Sequence, residues 1–164
     1  MDWDSYYMLE AYVAAMKSKD DRTQVGACIV GPDHEIRSKG FNGPWRGEND
    51  DDPALYTPPA RRLVFEHAER NAIYNLARVG VSGKNCVMYS TLHPCIDCGR
   101  GVVQCGISEI VLPEDYPGAR TFSPSQRAAA NLFARVGVAV RWWRGRLPAL
   151  AILSDGQPYR FHAD

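Results

Sequence analysis

The sequence predicts an α/β fold, a three-layer α/β/α sandwich built on a mixed five-stranded sheet. Two observations lead there. Five short apolar segments rich in strand-forming residues alternate with longer segments whose apolar residues recur at helical spacing, the pattern of strands joined by helices. The first two of these strands are separated only by Gly31-Pro32 and a few polar residues, too little chain for a crossover helix. They therefore form an antiparallel hairpin, and the sheet is mixed.

Taken in order, Trp3 to Ser18 carries Trp3, Tyr6, Tyr7, Ala11, Ala14 and Ala15 at helical spacing and reads as an amphipathic helix whose aromatic stripe is core. Ser18-Lys19-Asp20-Asp21 breaks it. Gln24 to Val30 reads as a buried strand ended by Gly31-Pro32, and Glu35 to Phe41 is its return. From Trp45 to about Arg62 there is no clear period. The acidic run Glu48-Asn49-Asp50-Asp51-Asp52 and the prolines there read as a solvated loop, long enough to carry a function of its own. Phe65 to Val79 is a helix with Ala68, Ala72, Ile73, Leu76 and Ala77 towards a sheet. Cys86 to Ser90 is a short buried strand, Cys95 to Cys105 a helix stopped near Gly106, and Glu109 to Leu112 another strand. Ser123 caps a helix from Pro124 to Val136, followed by a strand from Val138 to Trp143. Beyond it, Ala149 to Leu153 with the turn Asp155-Gly156 suggests a terminal hairpin. Arg141, Arg144 and Arg146, around Trp142-Trp143, read as cations on an exposed edge strand in preference to a stacking platform for single-stranded nucleic acid.

A chain of 164 residues is expected to form one domain, 1–164, with a core at about 17–143 and an extension at 144–164. Formal net charge is zero, so no global field recruits polyanions and a nucleic-acid partner is not expected. The N-terminus Met1-Asp2-Trp3-Asp4 is acidic where a signal peptide would be basic, and no apolar run reaches the length of a membrane span; a cytoplasmic protein with no membrane partner is expected. Five cysteines is an odd count that argues against a disulfide framework. Cys28, Cys86 and Cys105, each among apolar neighbours, read as small buried residues in reduced form.

Two segments carry the chemistry, His67-Ala68-Glu69 and Pro94-Cys95-Ile96-Asp97-Cys98. They supply one imidazole, two thiols and a carboxylate. Zinc prefers tetrahedral nitrogen and sulfur ligation, and a catalytic site leaves one of four positions open, so His67, Cys95 and Cys98 suffice. Cys95 and Cys98 are expected on one face of the first turn of a helix entered through Pro94, where the macrodipole favours thiolates. Glu69 follows His67 by two, which keeps it off the metal but near the open position. A C-x-x-C by itself would also suit a redox pair or a structural zinc, although a structural site wants a fourth protein ligand.

In this order, with proline before the first cysteine, the two segments resemble the H-x-E…P-C-x-x-C signature of zinc-dependent nucleoside and nucleotide deaminases. Within that group, roughly Lys17 to Trp143 is similar to the deoxycytidylate (dCMP) deaminases. The resemblance is carried by Ser18-Lys19-Asp20, Gln24-Val25-Gly26-Ala27-Cys28-Ile29-Val30, Gly40-Phe41-Asn42-Gly43, His67-Ala68-Glu69-Arg70-Asn71-Ala72-Ile73 and Pro94-Cys95-Ile96-Asp97-Cys98. The tRNA adenosine deaminases share the metal motif and a lead-in like Thr91-Leu92-His93-Pro94-Cys95. What the resemblance implies is hydrolysis of dCMP to dUMP and ammonia in pyrimidine deoxynucleotide metabolism, with one Zn²⁺ per chain held by His67, Cys95 and Cys98. Glu69 would shuttle protons to N3 and then to the departing amine. The backbone amide of Ala68 would contact the base, Asn42 the deoxyribose, and Tyr116 the nucleotide. A homo-oligomer acting on a small-molecule nucleotide is expected. The alternatives are a related substrate (a 5-modified dCMP, a free nucleoside or base, or a tRNA adenosine) and a zinc-stabilised binding domain without turnover.

The chain also departs from the family pattern. Where members usually read G-Y-N-G-x-P-x-G, Gly43 is followed directly by Pro44-Trp45-Arg46-Gly47. The loop that binds activating dCTP in allosteric members is thus altered, and weak or absent activation is expected. His93 stands where many members have an apolar or acidic residue, and reads as a satisfied histidine behind the site.

Overall fold

The computed structural model describes residues 1–115 and 122–147, together with the backbone of two strands at 151–154 and 157–160. The chain runs α1 (Trp3–Ala15), β1 (Gly26–Val30), β2 (Ile36–Phe41), β3 (Gly43–Pro44), a 3₁₀ turn (Pro53–Tyr56), α2 (Ala60–Val64), β4 (Phe65–Glu66), α3 (Ala68–Val79), β5 (Val87–Ser90), α4 (Ile96–Cys105), β6 (Glu109–Pro113), α5 (Pro124–Val136), β7 (Ala139–Trp143), β8 (Ala151–Ser154) and β9 (Gln157–Arg160). The main sheet has five strands in the order β2-β1-β5-β6-β7. β1 is antiparallel to both β2 and β5, whereas β5, β6 and β7 are parallel, so the expected mixed sheet is present.

β1 is buried along its whole length because both faces are covered. Ala27 and Ile29 face a core completed by Ala68, Ala72 and Leu76 of α3, Val102 of α4, and Ala129 and Phe133 of α5. Cys28 and Val30 face the opposite side, where Tyr7, Met8 and Ala11 of α1 pack with Tyr89, Val111 and Trp143. The layers are therefore α1, sheet, and α3/α4/α5. Two glycines set how closely helices seat on the sheet. A Cβ on Gly26 would lie 2.0 Å from the Ala11 carbonyl oxygen, and one on Gly40 would lie 2.3 Å from the Ala68 carbonyl oxygen. Only a residue without a side chain lets α1 and α3 come this near.

α5 occupies the predicted Pro124–Val136, opened by a full capping box between Ser123 and Gln126. Elsewhere the structure differs from expectation. The aperiodic stretch after Trp45 contains the 3₁₀ turn and most of α2, and is bracketed by a two-stranded ribbon of β3 with β4. Each piece is too short to show a period in sequence. For the same reason α3 starts at Ala68 and not at Phe65, since Phe65 and Glu66 pair with Pro44 and Gly43. β7 is an edge strand, and Arg141 on it pairs with Asp4 of α1 and Glu109 of β6, so this cation ties layers together. β8 and β9 form the terminal hairpin as a separate antiparallel pair, while its turn, Asp155-Gly156, lies outside the described residues. Cys28 and Cys86 are buried and Cys105 is half-buried, all as free thiols. No described helix is long and apolar enough to cross a membrane.

Candidate active site

The site forms where two helix N-termini meet beside the carboxyl end of β5. His67 and Cys95 are not on helices, as the sequence suggests, but are the N-cap residues of α3 and α4, both in extended conformation and neither bonding its own helix through its side chain. An N-cap side chain points outward ahead of the first turn and is free to bind something else. Cys98 and Glu69 come from those first turns. The thiol sulfurs of Cys95 and Cys98 are 3.6 Å apart, and His67 Nδ1 lies 3.5 Å from Cys95 Sγ and 3.4 Å from Cys98 Sγ.

These three edges allow a direct test of fit. Tetrahedral ligation at the usual Zn–S and Zn–N lengths requires sulfurs about 3.8 Å apart and sulfur–nitrogen edges of about 3.5 Å. The observed triangle matches both, and the donor set of two sulfurs and one nitrogen is zinc's own. Among the described residues no other trio of potential ligand side chains is gathered in this way. The neighbouring Cys98 thiol and the His67 ring hold the Cys95 thiol down to about 3, while its pairing with Cys95 and burial push Cys98 up.

Glu69 is buried at 3% exposure, with Oε2 3.5 Å from Cys98 Sγ. Burial raises its carboxyl above the usual range, the condition that suits a group asked to take and return a proton. It lines a cavity of about 300 Å³ together with His67, Ala68 and Cys95. Asn42, Asp20, Thr23, Val25 and Arg61 contribute to its wall, as do Leu92, His93, Ser123 and Gln126.

Asn42 lies in that wall with its amide engaged by protein. Its Oδ1 accepts from Val25 N at 2.8 Å, and its Nδ2 donates to Asp20 Oδ2 at 3.0 Å and to the Thr23 carbonyl at 2.9 Å. Ala68 is the first residue of α3, where backbone N–H groups have no acceptor within the helix. Tyr116 lies outside the described residues. His93 is buried, its Nδ1 is 2.9 Å from the Pro94 carbonyl, and its ring lies against Phe122 at 4.3 Å; burial lowers its pKa.

Sequence reasoning missed several wall residues. Gln126 donates to the His93 carbonyl at 3.0 Å, and Ser125 Oγ accepts from the N–H of Ile96 at 3.1 Å, so α5 braces the metal-bearing turn. The Ser123–Gln126 capping signature locates a helix start but not what it stands against. Arg61 sits in the aperiodic stretch, which offers no signal. Beside this cavity lies a second of about 700 Å³, lined by Trp45 and by Lys17, Lys19, Arg46 and Arg78 among others.

The family model of the cytidine and deoxycytidylate deaminase zinc-binding region matches residues 1–114. The human protein named deoxycytidylate deaminase is 36% identical over 146 residues, covering 86% of this chain and 79% of that one. The mouse protein of that name is 36% identical over 160 residues, covering 94% and 87%. Among solved structures, the dCMP deaminase of cyanophage S-TIM5, in complex with dCMP and dUMP, matches with a TM-score of 0.67 at 24% identity, covering 84% of this chain and 94% of the other; this likeness is one of fold.

Proposed function

The chain belongs to the cytidine and deoxycytidylate deaminase family of zinc-binding proteins, and from that premise we propose that it hydrolyses dCMP to dUMP and ammonia. The observation that carries this reading is the triangle of His67, Cys95 and Cys98 with a buried carboxyl group against it, His67, Cys95 and Glu69 lining one cavity. Bound there, zinc supplies a Lewis-acidic position at which water is acidified towards neutrality.

The remaining work falls to the chain's own side chains. Replacing an amine by oxygen at C4 requires a proton to leave the attacking water and protons to reach N3 and the departing nitrogen. Glu69 takes the first and delivers it to N3, then serves the leaving amine, with its basicity raised by burial. The N–H of Ala68, at the start of α3, holds the base. Asn42 faces the sugar, and its Oδ1, with one lone pair engaged by Val25, can accept a further hydrogen bond. Tyr116 completes the nucleotide contacts in this reading.

The test is ammonia release from dCMP, CMP, dCTP, deoxycytidine, cytosine and tRNA under one set of conditions. The expected result is a kcat/KM for dCMP well above the rest. Preference for a base or for tRNA overturns the substrate class, and zinc-loaded protein without turnover of any of them identifies a binding domain.

A further inference from the structure

We propose that Arg61 binds the 5′-phosphate of the substrate and is the residue by which this site selects a nucleotide over a nucleoside; the inference rests on the dCMP reading above. A phosphate dianion entering a partly enclosed cavity needs a cation there. Arg61 is the only lysine or arginine among the described residues of the cavity that also contains His67 and Glu69.

Its guanidinium has donors to spare. Of five N–H groups, one on Nη2 pairs with Asp20 Oδ2, and Nε is buried without a partner among the described residues. A buried, unpaired donor on a charged group is costly unless a ligand satisfies it. The guanidinium is also fixed in place. Asp20 is fully buried and held by the backbone N–H groups of Arg22 and Thr23, at 3.0 and 3.3 Å, and by Asn42 Nδ2. The Phe65 ring lies under the guanidinium, 5.2 Å from its centroid. One end of the fork is therefore anchored while the exposed part of the guanidinium, about a quarter of the side chain, can meet phosphate oxygens, a pairing for which the planar group is suited. The same Asp20 oxygen receives Asn42 and Arg61, which couples the group placed at the sugar to the group placed at the phosphate.

The competing role is purely structural, with Arg61 as counter-ion to a buried aspartate. Kinetics of the full-length, zinc-loaded Arg61→Gln and Arg61→Lys proteins on dCMP and deoxycytidine separate the two. If Arg61 reads the phosphate, the ratio of kcat/KM for dCMP to that for deoxycytidine falls roughly 10- to 100-fold in Arg61→Gln, mainly through KM for dCMP. Calorimetric binding of dUMP weakens correspondingly more than that of deoxyuridine. Arg61→Lys keeps the charge beside Asp20 but loses the fork, so its ratio falls less; should the glutamine variant fail to fold, a several-fold fall in the lysine variant still supports the proposal. An unchanged ratio in a folded variant, or equal losses on both substrates, overturns it. Unsubstituted protein that does not turn over dCMP removes the premise as well, whereas normal dCMP turnover with an unaltered ratio removes Arg61 alone.

Discussion

Cys98 Sγ lies 3.5 Å from Glu69 Oε2, although the two side chains come from the first turns of different helices. Pairing with Cys95 and then burial push the Cys98 thiol up, and burial raises the Glu69 carboxyl. Cys95→Ala or Cys98→Ala is expected to reduce zinc from about one ion per chain to a small fraction, because two protein ligands do not hold it against exchange. Metal content by mass spectrometry after dialysis is the check, and full occupancy in either variant contradicts the ligand set.

Glu69 touches the metal triangle without belonging to it. Glu69→Gln keeps three protein ligands and the packing of the side chain but cannot carry the proton. Turnover should fall by roughly 10²- to 10⁴-fold with zinc retained. Loss of zinc as readily as in the cysteine variants would make Glu69 a ligand and sink the assignment.

Gly40 tests how the site is positioned. Its added Cβ would meet backbone at Ala68 O and, 2.4 Å away, at Ala72 N, so no side-chain adjustment relieves the clash. Gly40→Ala should cost about 1–3 kcal/mol of stability by displacing α3 from β2. Because His67, Ala68 and Glu69 ride on that helix end, zinc affinity should fall too. A variant with unchanged melting temperature and metal affinity would show that α3 is not located by this contact.

Acid stability should depend on Asp4. Arg141 holds its carboxyl below the usual carboxylate range, and Tyr89 O–H donates to it at 2.7 Å. A carboxyl depressed in the folded state binds fewer protons there than when unfolded. Its contribution is therefore complete above about pH 4 and is lost as pH falls through the lowered value. Partial exposure limits it to about 1 kcal/mol or less. Denaturant midpoints of the parent and Asp4→Asn, measured from pH 6 to 2, should converge at the acid end, the metal ligands being common to both. Parallel curves would contradict the linkage.

Activation by dCTP should be weak or absent. Trp45 lines the larger cavity, where Lys19 is already paired with Asp50 and Asp51 at 3.0 and 2.6 Å and Arg46 bonds Asn75 at 3.1 Å. An effector shifts an equilibrium only through contacts that one state offers better than another, and here Lys19 and Arg46 would have to give up existing partners to make them. Rate against dCMP should be near-hyperbolic with or without dCTP and Mg²⁺. A sigmoidal curve made hyperbolic by dCTP would show that the altered loop still serves regulation.

The order of elements was legible because long helices and buried strands leave periodic traces. α5 begins and ends where Ser123, Pro124 and Gly137 place it, and the hairpin of β1 with β2 follows from the short connection between them. The metal-binding side chains were legible for a different reason: zinc limits ligand type and spacing so narrowly that His67, Cys95, Cys98 and the nearby Glu69 stand out in the bare sequence. Tertiary structure decided where those residues sit relative to their helices. His67 and Cys95 became caps because Phe65-Glu66 pairs with Gly43-Pro44 and because the chain enters α4 extended at Cys95. It also decided what surrounds the site. Asp20, Arg61 and Gln126 come from three separate stretches of chain, and no local pattern records that they share one cavity. Their meeting depends on long-range packing of α3 on Gly40 and of α5 on Gly99, which a linear sequence encodes only through the shape of the whole core.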